Sequence, residues 1–183
     1  MHKLDYLSGT EWIEHSYAPQ FARVELQGGT SRIIAGVPHG DTEIFEHLVS
    51  SLEPTYFLLY ILHTSRGEGE AGRYQSPALS VEQLNTFISK FKPFLSGDAR
   101  FDIWAHSSTE NATVVWDRHN MLYAYGPIEK FSKVLRSLGF DVGKPEIPVP
   151  HAHNYRKELD GYAKELLTAF DWSWSPLHNE DEQ

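Results

Sequence analysis

The chain has 183 residues, a net charge of −9, no cysteine, and 40% hydrophobic against 22% charged residues. That is the composition of one globular domain with a proper core, and it excludes disulfides, thiol catalysis and Cys-ligated zinc or iron–sulfur sites. The acidic balance argues against nucleic acid, whose binding needs a basic surface, and no apolar run approaches the ~18–20 residues that span a bilayer.

Residues 1 to 20 hold no sustained period and read as a strap bearing Tyr6, Trp12, Ile13 and Tyr17. With no apolar h-region and an early acid, Asp5, the start reads as having no signal peptide. Phe21 to Leu26 and Ser31 to Val37 alternate as strands around Gln27-Gly28-Gly29-Thr30, a hairpin signal. Asp41 or Thr42 caps a helix to about Leu52, striped by Ile44, Phe45, Leu48, Val49 and Leu52.

Thr55 to Thr64, TYFLLYILHT, is the most apolar run. Both its faces are apolar or aromatic, which predicts a central strand covered on both sides. It runs into SRGEGEAGRYQS, read as a Gly-rich loop. Ser80-Val81-Glu82-Gln83 has the form of a capping box and opens a helix to about Leu95, with Pro93 in its last turn.

A three-strand meander follows: Phe101 to Ser107, Ala112 to Arg118 and Met121 to Tyr125. Pairing Ser107 with Ala112 sets His106 opposite Thr113, Trp104 opposite Val115 and Asp102 opposite Asp117, and leaves the other face wholly apolar. The last of these strands reads as an exposed edge, which would invite a dimer. Pro127 and Gly139 bracket a helix. A proline-punctuated crossing leads to His151-Ala152-His153 and a last helix, Tyr155 to Phe170. The sum is one α+β domain over residues 1–176: a mixed, mostly antiparallel sheet of about six strands with four helices packed on it. Residues 177–183 read as a disordered acidic tail.

Four strand-like runs end in histidine: His39, His63, His106 and His119. The meander alternates direction, so His106 and His119 lie at opposite ends, and His39, His63 and His106 are the three that could converge. Among these, His63 and His106 are the catalytic candidates, as imidazoles suit acid–base work near neutral pH. His39, Arg66, Arg73, Tyr74 and Gln75 are the ligand-binding candidates, the arginines forming a clamp for an anion across a glycine hinge. His151 and His153 face one side of an extended segment, a spacing found in metal sites whose third ligand comes from elsewhere. No cofactor is required by any motif, and a divalent metal is the one the histidines allow. GxSxG, HExxH, a P-loop and a Rossmann fingerprint are all missing.

Two functional readings follow. The first is a cytoplasmic, bacterial-type binding or regulatory domain that neutralises a basic protein partner, resting on the acidic charge and 13% aromatic content. The second is a hydrolase or lyase that uses histidine acid–base chemistry or a histidine-bound metal on a small anionic ligand.

Overall fold

A computed structural model describes residues 2–181. In chain order the strands and helices are β1 (Leu4–Ser8), β2 (Glu11–Glu14), β3 (Gln20–Glu25), β4 (Ser31–Gly36), α1 (Thr42–Ser50), β5 (Tyr56–Leu62), β6 (Gly72–Gln75) and α2 (Val81–Gly97). They continue with β7 (Phe101–Ser107), β8 (Ala112–Trp116), β9 (Met121–Tyr125), α3 (Ile128–Ser137), β10 (Asp141–Val142), β11 (His151–His153), α4 (Asp160–Leu166) and β12 (Ser173–Ser175). Short 3-10 turns cover Pro38–Gly40, Lys157–Leu159 and Asn179–Asp181.

The α+β class holds, but the expected count of about six strands does not. The main sheet has nine strands in the order β10-β3-β4-β9-β8-β7-β5-β6-β12, and a second sheet has three, β11-β1-β2. Among the nine, only β10 and β3 run parallel. The unexpected strands are short. β1 and β2 are a hairpin inside the supposed strap, β6 lies inside the supposed Gly-rich loop, and β10, β11 and β12 are two or three residues long. A strand of that length carries too few alternations to show a period.

The meander register is as derived: Ser107 pairs with Ala112, His106 with Thr113 and Trp104 with Val115. The ladder ends at Trp116, and Asp117 opens the following turn. The strand β9 is not an edge, because β4 pairs along its length. Main-sheet residues Tyr56, Leu58, Tyr60, Leu62, Phe101, Ile103, Ala105, Val114 and Trp116 form one core. That core also takes in the apolar stripes of α1, α2, α3 and α4.

The strand β5 lies between β6 and β7 and is fully buried on this helix side. Its other face is more open than expected. Phe57 and Leu59 join Gln75, Trp104, His106 and Thr113 in lining a surface groove of about 380 Å³.

The capping box forms as read. Ser80 Oγ accepts from Gln83 N, and Gln83 Oε1 accepts from Ser80 N. The helix then runs through Pro93 to Gly97. The last helix is shorter than its apolar stripe. Its first residues stay extended because Arg156 N donates to Asp98 Oδ2 and Arg156 Nε to the Gly97 carbonyl. Residues 179–181, within the stretch read as a disordered tail, form a turn whose Asp181 Oδ1 accepts from Arg73 Nη1 at 2.6 Å. No helix among the described residues is long and apolar enough to cross a membrane.

Candidate metal centre

The small sheet packs at the end of the main sheet where β5 and β8 finish and β7 and β9 begin. Three histidines meet there. His119 comes from the β8–β9 turn, and His151 and His153 come from β11. One ligand atom from each lies within 4.8 Å of the other two. The ring centroids are 4.8 Å (His119–His153), 5.3 Å (His119–His151) and 5.3 Å (His151–His153) apart.

Each histidine is held from the chain upward. In the turn, Asp117 Oδ1 accepts from the backbone N–H of His119 (2.9 Å) and of Met121 (2.8 Å), the local pattern that makes aspartate a turn former. Asn120 takes the left-handed conformation, at φ 63°, which asparagine tolerates better than most residues. Its Oδ1 accepts from the buried Trp116 Nε1. The His119 carbonyl accepts from Tyr17 Oη at 3.0 Å. From beneath, the fully buried Lys3 donates to the Asp117 carbonyl at 3.1 Å and sits over the rings of Trp116 and Phe101. On β11, alternation puts His151 and His153 on one face. Pairing with β1, Leu4 to His153 and Tyr6 to His151, fixes the strand.

Hydrogen bonding fixes the tautomers. His119 Nδ1 lies 3.2 Å from Asp117 Oδ2, and His151 Nδ1 lies 2.9 Å from the Pro148 carbonyl. A carboxylate and a carbonyl only accept, so both Nδ1 atoms carry a proton, and in the neutral form of each ring it is Nε2 that presents the lone pair. A carboxylate or carbonyl behind an imidazole is the usual support of a metal-ligating histidine. Burial, with His119, Arg118 and His151 nearby, pushes the His153 pKa down to about 3, against a smaller opposing pull from Asp102. It is therefore neutral and needs no deprotonation to bind. Its Nε2 is buried with no hydrogen-bond partner among the described residues. A tetrahedral ion with bonds of about 2.0–2.1 Å would draw its nitrogens to about 3.3 Å apart, a closure within reach of small side-chain rotations.

Behind the triad lies a second layer. Asp102 Oδ1 accepts from the Arg118 backbone N–H at 2.7 Å. Its Oδ2 is 3.0 Å from His63 Nε2, close enough for an ion pair but off the line of a hydrogen bond. His63 thus stands at the same pole as the triad, joined to it through Asp102 and the turn.

The other expected residues are elsewhere. Strands β5 and β7 are antiparallel, with Phe57 opposite His106. His106 is therefore at the far pole from His63, and the expected convergence of His39, His63 and His106 does not form. His106 Nδ1 instead lies 3.0 Å from Thr113 Oγ1. His39 sits in the turn after β4, with Ser16 Oγ 3.3 Å from its Nδ1, and lines a separate groove with Pro93 and Phe140. The two arginines of the expected clamp each have a partner within the protein. Arg66 Nε donates to Asp160, and Arg73 donates to Asp181 while lying over Trp104. Arg73, Tyr74 and Gln75 belong to β6, not a loop, and Tyr74 Oη donates to the Glu70 carbonyl. The loop itself is tied down by Glu68, whose Oε1 accepts from the buried Arg100, which also binds Asp98 and Asp160. Gln75 and His106 do share the 380 Å³ groove.

The third ligand, His119, was left out of the metal set by sequence reasoning. The available signal was the Asp117-Arg118-His119-Asn120 turn, which places an aspartate where it can hold a histidine two residues on. The chain matches no protein-family model, no curated protein and no solved structure.

Proposed function

We propose that this protein is a metal-dependent hydrolase or lyase whose single divalent transition metal is held by His119, His151 and His153. The observation that carries this reading is the convergence of three imidazoles, two with Nδ1 held by an acceptor and one kept neutral by burial. Three imidazoles and no thiolate suit zinc, with iron, copper and nickel as competitors, and disfavour magnesium and calcium. Three protein ligands leave a fourth position open, the pattern of catalytic rather than structural zinc. A metal there would supply a hydroxide near neutral pH or polarise a carbonyl or phosphoryl oxygen.

The test is elemental analysis of protein purified without chelator or affinity metal, followed by reconstitution with zinc. One equivalent of metal is expected in the wild type, with stoichiometric binding lost in His119→Ala, His151→Ala and His153→Ala. Failure of the wild type to bind zinc, iron, copper or nickel would overturn the proposal. The net charge of −9 then favours the second reading, a cytoplasmic domain that neutralises a basic partner, and salt-sensitive association with a basic protein would support it.

A further inference from the structure

The small sheet presents more than two histidines on the face that carries His151 and His153. In the β1–β2 hairpin Asp5 pairs with Glu14. The next position sets Leu4 against His15, whose N–H donates to the Leu4 carbonyl at 3.0 Å. Leu4 in turn pairs with His153. Directly paired residues of an antiparallel sheet point to the same side, so His153, Leu4 and His15 form one row. Tyr6, paired with His151, lies in a neighbouring row of the same face.

The His15 ring is packed edge-on against Tyr6 (5.7 Å) and Tyr17 (4.4 Å). Tyr17 is the residue that bonds the His119 carbonyl. Each of its two ring neighbours is therefore tied to one of the metal-binding histidines. His15 Nε2 is buried and, like His153 Nε2, has no hydrogen-bond partner among the described residues. Buried polar atoms in folded proteins are normally satisfied. His15 is outside the set whose ligand atoms lie within 4.8 Å of one another, so it is not among the residues that would ligate the ion directly.

We infer that His15 is a fourth functional histidine of the centre, whose Nε2 makes the hydrogen bond to the water or small anion on the metal's open position. Tyr6 and Tyr17 hold its ring in place, and the exogenous ligand supplies the partner that the protein does not. The inference rests on the metal-dependent reading of the triad and names the residue that would orient the reacting ligand.

Cobalt-loaded protein provides a test that needs no substrate, using azide as the anionic probe and the visible spectrum as readout. The variants are His15→Phe, which fills the ring's place between Tyr6 and Tyr17 without a ring nitrogen, and His15→Gln, which restores a polar end. Wild type and both variants should take up one cobalt with equal affinity. The azide Kd should rise roughly tenfold in His15→Phe, the worth of one hydrogen bond, and return to within about twofold in His15→Gln. Loss of cobalt from both variants would make His15 a ligand and overturn the inference. Unchanged azide affinity in cobalt-loaded His15→Phe would overturn it too. A wild type that binds no cobalt at all would instead remove the metal reading beneath it.

Discussion

Lys3 offers a direct measurement of the electrostatics under the candidate centre. Its ammonium is fully buried, and burial lowers its pKa from 10.5 to about 8 despite the opposing pull of Asp117, Asp102 and Asp98. In the unfolded chain Lys3 returns to 10.5. The folded pKa is the lower of the two, so between pH 8 and 10.5 the unfolded state binds more protons. Stability must therefore rise with pH through that window. Below it the buried charge imposes its full cost, and above it both states are neutral. The fall from 10.5 to about 8, at about 1.36 kcal/mol for each tenfold change in proton affinity, corresponds to about 3 kcal/mol across the whole window. About 2 kcal/mol of that falls between about pH 7.5 and about pH 10.

Lys3→Met keeps the bulk and removes the titration. Urea unfolding of both proteins at those two pH values should show the wild type gaining about 2 kcal/mol on the mutant as pH rises. Buried Tyr17, Tyr60 and Tyr123, whose pKa values are raised mainly by burial, weaken both proteins alike at the alkaline end, so they drop out of the difference. Parallel pH dependence in the two proteins would refute the reasoning.

Two further outcomes follow from the same neighbourhood. Asp117→Asn weakens the acceptor behind His119 and should lower zinc affinity by roughly 10–100-fold, read by competition with a chromophoric chelator, while saturating zinc still binds at one equivalent. Arg100→Met strands the carboxylates of Asp98 and Glu68, both at most 1% exposed. Its cost should be about 3–5 kcal/mol in urea unfolding, and the double change Arg100→Met with Asp98→Asn should recover part of that loss.

What the sequence revealed divides along one line: length of pattern. The run TYFLLYIL is apolar on both faces over seven residues and the meander strands alternate over five or more, so their strand character was legible, and for the first two meander strands the cross-strand register could be written down residue by residue. The four helices could be found from their stripes for the same reason. The small sheet could not. LDYLS and EWIE mix polar and apolar residues on both faces, and β2 is exposed along its whole length, so no burial pattern distinguishes it from a strap.

The site failed at the same point. His151 and His153 were recognisable as a pair because alternation is local. Joining them to His119 required a fact with no local signature, that a three-residue strand lands beside β1 at the pole of the β8–β9 turn. Equally silent was the antiparallel pairing of β5 and β7, which parts His106 from His63. The partners of Arg66 and Arg73 were not legible either, because the ion pairs to Asp160 and Asp181 span more than ninety positions of sequence.

The triad also joins the two sheets of this molecule. His119 belongs to a turn of the nine-stranded sheet, and His151 and His153 belong to an edge strand of the three-stranded one. An ion coordinated by all three is a cross-link, closing the stretch of chain that contains β9, α3 and β10. Its binding free energy would then appear partly as adhesion between the sheets. Without the ion, that adhesion rests on the buried Leu4 and Lys3 and on the hydrogen bonds of Asn154, Tyr17 and Arg156, so hydrogen exchange is expected to show the N-terminal hairpin and β11 opening before the buried β5 ladder.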